Sequence, residues 1–237
     1  VLVLTPSSLL WSLKPLRETP EGGVVLAVSE DHHPKLLAEL EVLAPIERPL
    51  LIDSKGESIK KLEDNLKFEV IGGRIPWKVF SEKTFLGLWP ILTEKCTADT
   101  ELSLIISNPC SGPAFSLKES LEGFHKNKNT DFSLLNDLII KEEKWLNNQD
   151  HKKKFMLQLE KLGWNIIVEE WTEIVYQKVN SSIIKRWFNQ GSEYREIILR
   201  NCEEETLIRL KNLFKKLDGQ TIKQKLIHTK LLAKNNN

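Results

Sequence analysis

Along the first hundred positions, short unbroken apolar runs alternate with longer stretches in which apolar residues recur every three or four positions. The runs at 1–4, 23–29, 50–53, 68–72 and 101–107 are rich in Val, Ile and Leu, and most are apolar runs rather than strict alternations. Such runs predict strands buried on both faces. Between them, Leu9, Leu10, Leu13 and Leu16 form one helical stripe, and Leu36, Leu37, Leu40 and Leu43 another. A third helix is expected over 80–95, and a short helix or irregular crossing over 57–66. Strands and helices joined by short links predict an α/β fold with a Rossmann-like, mostly parallel, doubly wound sheet.

After residue 107 the pattern changes. Residues 109–132 are rich in Ser, Gly, Lys and Asn and read as a long link. An amphipathic helix over 132–146 and a helix ending at Gly163 follow. Two extended segments, 164–169 and 171–179, predict an antiparallel end to the sheet. Beyond Ser181 the spacing is helical: Leu207, Leu210, Phe214 and Leu217 share one stripe, and Ile222, Leu226 and Leu231 predict a last helix. The organisation expected is therefore an α/β domain over 1–180 with a helical C-terminal extension, 181–237, packed on it. Trp187 and Phe188 are expected to pin the extension.

Apolar residues make up 41% of 237 positions and charged residues 28%, enough for a sizeable core in a soluble protein. No apolar run approaches the roughly 20 residues that span a bilayer, and the start lacks a basic leader, so no membrane contact and a cytoplasmic location are expected. The three cysteines are odd in number, far apart and without ligand-spaced histidines; neither a disulfide framework nor a metal site is expected. Adjacent His32 and His33 point in different directions on a helix and do not change that. No P-loop, zincin motif or nucleophile elbow is present, so ATP hydrolysis by P-loop machinery is excluded. The chain begins at Val1 rather than Met, which suggests a piece of something longer.

Net charge is +1 but uneven: residues 1–140 hold 15 basic and 20 acidic side chains, the remainder 19 and 13. From Thr206 there are eight basic residues and one acid. Lys211, Lys215, Lys216 and Lys223 are candidates for weak, salt-dependent contact with DNA. The same lysines would also serve to solvate an amphipathic helix.

In a doubly wound sheet, ligands bind beyond the carboxyl ends of the strands. That gives four addresses: Thr5-Pro6-Ser7-Ser8 after the first strand, Glu30 after the second, Asp53 after the third, and Gly72-Gly73 after the fourth. A carboxylate at Glu30 suits two ribose hydroxyls, and Asp53 a base amino group. The first turn departs from a nucleotide-binding turn, because glycines normally let the backbone approach the ligand and none is present. No side chain in the chain is assigned a catalytic role.

The order of these pieces resembles the class I S-adenosylmethionine-dependent methyltransferase fold. More narrowly, Thr19-Pro20-Glu21-Gly22-Gly23-Val24, Ile46-Glu47-Arg48-Pro49, Gly73-Arg74 and Arg186-Trp187-Phe188 resemble the methyltransferase-like C-terminal region of cyanobacterial fusion proteins. In these the region follows an AAA+ ATPase of the clamp-loader-like, replication-recombination type. The resemblance implies a degenerate methyltransferase-like domain, without required cofactor, acting in assembly or partner binding beside that ATPase. Enzymes of this fold carry a glycine-rich first loop and often an Asp or Asn, then Pro and an aromatic, after the fourth strand. Here Pro6, Ser7 and Ser8 fill the loop, and Gly72-Gly73-Arg74-Ile75-Pro76-Trp77 offers no carboxylate or amide. Two alternatives stay open: an active S-adenosylmethionine-dependent methyltransferase, and a DNA-binding accessory domain.

Overall fold

A computed structural model describes residues 1–19, 23–76, 83–122, 130–146 and 150–235. The strands are β1 (Leu2–Leu4), β2 (Val25–Val28), β3 (Leu50–Asp53), β4 (Phe68–Pro76), β5 (Cys96–Pro109), β6 (Trp164–Lys178) and β7 (Thr221–Asn235). They form one seven-stranded sheet in the order β3-β2-β1-β4-β5-β7-β6. The pairings of β3, β2, β1, β4 and β5 are all parallel. β7 runs against β5: Asn235 bonds to Thr97 and His228 to Ser107, so one strand climbs as the other descends. The sheet is thus mostly parallel with an antiparallel strand towards one end, as the alternation of elements predicts.

At β1 and β2 both faces of the sheet are covered, and the register shows how. Leu2, Leu4, Val25 and Ala27 point to one side, against Phe85, Trp89, Phe155 and Trp164. Val3, Val24, Leu26 and Val28 point to the other, against Leu9, Leu36 and Leu40. A period of two with apolar residues on both sides is why these runs are unbroken rather than alternating. Leu9 and its neighbours belong to helix α1 (Leu10–Glu18) and the turn before it, and Leu36 and Leu40 to α2 (His33–Leu40). Phe85 and Trp89 come from α4 (Lys83–Glu94), which follows α3 (Gly56–Lys60) in the chain.

The chain divides into two compact units: Val1–Ser107 with Gln149–Trp171 and His228–Asn237, and Asn108–Asn148 with Thr172–Ile227. The first holds the two clusters above. The second has its own core, in which Trp187, Phe188, Tyr194, Ile198, Leu207, Leu210 and Phe214 pack with Leu135 and Leu138. Its helices are α5 (Pro113–Glu122), α6 (Thr130–Leu146), α8 (Ser181–Phe188), α9 (Glu193–Asn201) and α10 (Glu204–Lys215), while α7 (Asp150–Lys161) lies in the first unit. Trp187 and Phe188 are buried and structural, as expected, but their aromatic partners are Tyr194 and Phe214 of this helical core.

Three expectations are corrected. The stretch from Thr221 to Asn235 is a strand, not a last helix. Ile222 and Gln224 are buried on either side of exposed Lys223, and Leu231 and Ala233 repeat the alternation, so a period of two competes with the spacing of Ile222, Leu226 and Leu231. A place between β5 and β6 gives both edges of that segment a backbone partner, so the strand satisfies its polar backbone as a helix would, and the alternating burial decides between them. Residues 164–178 form one long strand rather than two segments. Part of the expected link is helix α5, whose N-terminus is capped from a distance by Glu142, a signal no local pattern contains. Its remainder at 123–129 lies outside the described residues, as do Pro20–Gly22 and Trp77.

Candidate functional site

Parallel register brings the strand ends to one rim. Leu4 pairs with Ala27 and Gly73, and Val28 with Asp53. One residue further on, Thr5, Val28, Asp53 and Arg74 stand in a lateral row. Three of the four predicted addresses meet here: the first turn, Glu30 and Asp53.

Over β2 and β3 the rim opens into a cleft of about 380 Å³ lined by Val28, Glu30, His33, Pro34, Asp53 and Lys55. Glu30 is almost fully solvent-exposed, and Asp53 is one-third exposed. Lys55 bridges them, with Nζ 3.2 Å from Asp53 and 3.8 Å from Glu30. The Asp53 carboxylate also accepts the Lys55 backbone N–H at 3.1 Å, a turn closed by an aspartate side chain. Hydrogen bonding to Asp53, and then the charges of Asp53 and Glu30, raise the Lys55 ammonium above its ordinary value. The sequence reading passed over Lys55. Its signal is the Asp-Ser-Lys step at the end of β3, where the aspartate turns the chain and returns the lysine to its own carboxylate.

At the ends of β1 and β4 the backbone of the rim bonds to protein partners, while the Arg74 side chain stays exposed. Thr5 adopts a left-handed backbone, φ +48°, a conformation that glycine takes without strain and threonine does not. Its backbone N–H donates to Ala27 O at 2.8 Å, and its Oγ1 donates to Arg74 O at 3.1 Å. That second bond ties the ends of β1 and β4 together across the space between them. Pro6 is buried with no donor to offer; Ser7 is exposed. The Ser7 carbonyl is taken by Lys35 Nζ at 3.2 Å, and Glu39 accepts the Leu9 N–H at 2.8 Å at the start of α1. Several polar groups of this turn, among them the Thr5 hydroxyl and the Ser7 carbonyl, therefore face protein partners.

Gly72 and Gly73 lie inside β4, which continues to Pro76, and not in a loop after it. A Cβ on Gly73 would stand 2.6 Å from Leu4 O, so its bare backbone serves close packing of β1 on β4. On Gly72 a Cβ would make an ordinary 3.7 Å contact with Ser103 O. Neither glycine makes a ligand cradle. The basic candidates separate as well. Lys211 and Lys215 lie on α10 and Lys216 caps it, whereas Lys223 stands on β7 and pairs with Glu119 at 3.5 Å. The four do not make one helical stripe.

The residues present fit half of S-adenosylmethionine. Glu30 and Asp53 beside an open cleft suit a ribose and a base. The turn that would meet the methionine half is bonded to Arg74, Lys35 and Ala27. Among the described residues no cluster of His, Cys, Asp and Glu could hold a metal ion, and no helix is long and apolar enough to cross a membrane.

No protein-family model and no curated protein matches the sequence. Among solved structures the chain is similar to the YcgJ protein of Bacillus subtilis, with a TM-score of 0.54 at 11% identity over 100% of this chain and 92% of that one. It is also similar to a proposed methyltransferase from Bacillus halodurans C-125, with a TM-score of 0.50 at 12% identity, covering 100% of this chain and 93% of that one. At such identity the likeness speaks for fold. The sheet order and this likeness together make the fold that of the class I S-adenosylmethionine-dependent methyltransferases.

Proposed function

We propose that this chain is a methyltransferase-fold domain that has lost methyl transfer and serves assembly or partner binding beside an N-terminal AAA+ ATPase of the replication-recombination type. The observation that carries the loss is the Thr5 Oγ1 bond to Arg74 O, which commits to protein the turn that would meet the methionine half of the cofactor. The stretch of β4 reaching that rim, Gly72 to Pro76, adds no side-chain carboxylate or amide. The resemblance of Ile46-Glu47-Arg48-Pro49, Gly73-Arg74 and Arg186-Trp187-Phe188 to segments of the fusion proteins supports the ATPase partner. Calorimetric titration of the chain with S-adenosylmethionine and S-adenosylhomocysteine tests the reading. We expect no saturable binding in the micromolar range, and micromolar binding of either compound overturns it.

One observation favours a second reading, an active methyltransferase. Glu30 and Asp53 flank an open cleft at the ends of β2 and β3, where a ribose and a base are held in this architecture. The same titration separates the two readings. Contact of Lys211, Lys215 and Lys216 with DNA stands as a weaker proposal, supported by the exposure of Lys215 and Lys216. It is read by fluorescence anisotropy across a salt series, where each phosphate contact adds close to one to the slope.

A further inference from the structure

Next to the cleft the rim carries an exposed arginine bonded to one serine, which is itself backed by a histidine and a tryptophan. Arg74 Nη2 donates to Ser107 Oγ at 3.2 Å, and Ser107 Oγ lies 2.9 Å from Nδ1 of His228. His228 is buried, and Trp171 stacks on it with ring centroids 5.2 Å apart and planes 25° from parallel. Because Arg74 donates to the serine oxygen, the serine proton is available to Nδ1, and the chain of bonds runs from arginine to serine to imidazole. The Arg74 backbone is fixed in turn by Thr5. An exposed arginine ordinarily samples many rotamers. This one is held in place, and among the described residues no carboxylate pairs with it. A fixed guanidinium with unspent donors matches phosphate and carboxylate oxygens in a bidentate way.

We propose that Arg74 anchors an oxyanion subsite and that the rim takes a nucleoside phosphate, with the nucleoside over Glu30 and Asp53 and the phosphates reaching Arg74. Asp53 and Arg74 stand in one lateral row three strand spacings apart, about 14 Å, the reach of an extended nucleoside diphosphate. Charge favours the same ligand. Lys35 is matched by Glu39 at 3.5 Å, and among the described residues Arg74 over β4 has no such carboxylate partner. That charge attracts a phosphate and repels the sulfonium of S-adenosylmethionine. The proposal goes beyond the loss of methyl transfer and has its own readout.

The test is calorimetric titration of the whole chain at low salt with ADP, adenosine and pyrophosphate, repeated on Arg74→Gln, Arg74→Lys and Ser107→Ala after thermal melts confirm folding. Wild type is expected to bind ADP at least ten-fold more tightly than adenosine. Arg74→Gln should erase that advantage while leaving adenosine unchanged, and Arg74→Lys should keep part of it. Ser107→Ala, which frees the guanidinium, should cost a few-fold and serves if Arg74→Gln fails to fold. ADP binding no tighter than adenosine, or an ADP advantage that survives in Arg74→Gln, overturns the subsite. Pyrophosphate binding as tightly as ADP overturns the nucleoside half. Micromolar binding of S-adenosylmethionine alongside a retained ADP advantage overturns only the loss of the cofactor.

Discussion

Glu142 and the pair Glu30–Asp53 bring carboxylates to backbone in opposite surroundings. Glu142 reaches from α6 to the start of α5, where it accepts the backbone N–H groups of Gly112, Ala114 and Phe115 and the hydroxyl of buried Tyr194. Only 2% of it is exposed. A Cβ on Gly112 would lie 2.5 Å from its carboxyl carbon, so the glycine makes its room. Four donors on a carboxylate sealed from the surface make a closed arrangement, with nothing left for a ligand. Glu30 and Asp53 share one exposed lysine beside an open cleft and leave oxygens free to bind. A sealed acid is part of the fold; an open one beside a cleft is available for recognition. The contrast also explains why α5 exists in a segment whose composition reads as a link. Its orphan N–H groups are satisfied by a residue about thirty positions away.

Removing the sealed carboxylate is the strongest way to break this contrast. Glu142→Ala leaves three helix N–H groups and a tyrosine hydroxyl buried without an acceptor, and should cost roughly 3–5 kcal/mol. Urea unfolding followed by circular dichroism measures it. A loss below about 1 kcal/mol would mean that water replaces the carboxylate and that the site is open after all.

The pH dependence should be of similar size. Burial pushes the Glu142 carboxyl up to about 7, against the pull of its four donors. A carboxyl whose folded value lies above its unfolded one binds more protons in the folded state. Its contribution is complete below the unfolded value near 4.5 and is lost as pH rises through about 7. Stability should therefore fall between pH 5 and pH 8 by up to about 3 kcal/mol. Glu142→Gln, which cannot ionise, should flatten that fall. A profile in wild type that rises across the same window would reverse the assignment.

At the rim the tightest constraint is Gly73. Gly73→Ala places a methyl 2.6 Å from the Leu4 carbonyl, so β1 and β4 must part or shift. Overpacking of this kind costs about 1–3 kcal/mol, readable as a lower midpoint in the same urea titration. If Gly73→Ala is neutral, the two strands can slide, and this half of the rim is softer than its hydrogen bonds indicate.

Thr5→Gly should be smaller. It relieves a left-handed threonine, worth about 1 kcal/mol or more, but removes the bond to Arg74 O and adds unfolded-state entropy. The terms oppose, and the net should stay within about 1 kcal/mol of zero. A clear gain in stability would identify Thr5 as a strained survivor of a glycine turn.

Much of the parallel half of the sheet is legible in sequence because β1 and β2 are short, apolar on both faces and followed by a helical stripe. Leu2 to Leu4 and Val25 to Val28 carry their environment in their own side chains. The strand over Thr221–Asn235 is hidden because its role depends on β5 and β6, more than forty residues earlier. Ile222, Leu226 and Leu231 fit a helix as well as they fit a strand until the neighbours are known. The candidate site divides the same way. Glu30 and Asp53 are found by counting residues past a strand. The Lys55 bridge follows from a turn that sequence could have revealed. The Thr5–Arg74 bond and the Arg74–Ser107–His228 chain depend on which strands are neighbours, and no local pattern encodes that.

The smallest effect on stability belongs to Glu30, and it completes the contrast with Glu142. Glu30 stands almost wholly in solvent, and its described charge partner is Lys55 at 3.8 Å, a lysine held more closely by Asp53. Deleting such a group leaves water to hydrate what remains, so Glu30→Ala should move stability by no more than about 0.5 kcal/mol. The same deletion at Glu142 leaves donors that water cannot reach. Binding should reverse the ranking. If the cleft holds a nucleoside, Glu30→Ala removes a charge-assisted acceptor for ribose hydroxyls and should weaken adenosine or ADP by ten-fold or more. Glu142 belongs to the other compact unit, and Glu142→Gln should leave that affinity unchanged in folded protein. Parallel unfolding and calorimetry on the two variants give the four numbers needed. Glu30→Ala that destabilises strongly, or that leaves nucleoside affinity untouched, would remove the reason for treating the open acid as a recognition group.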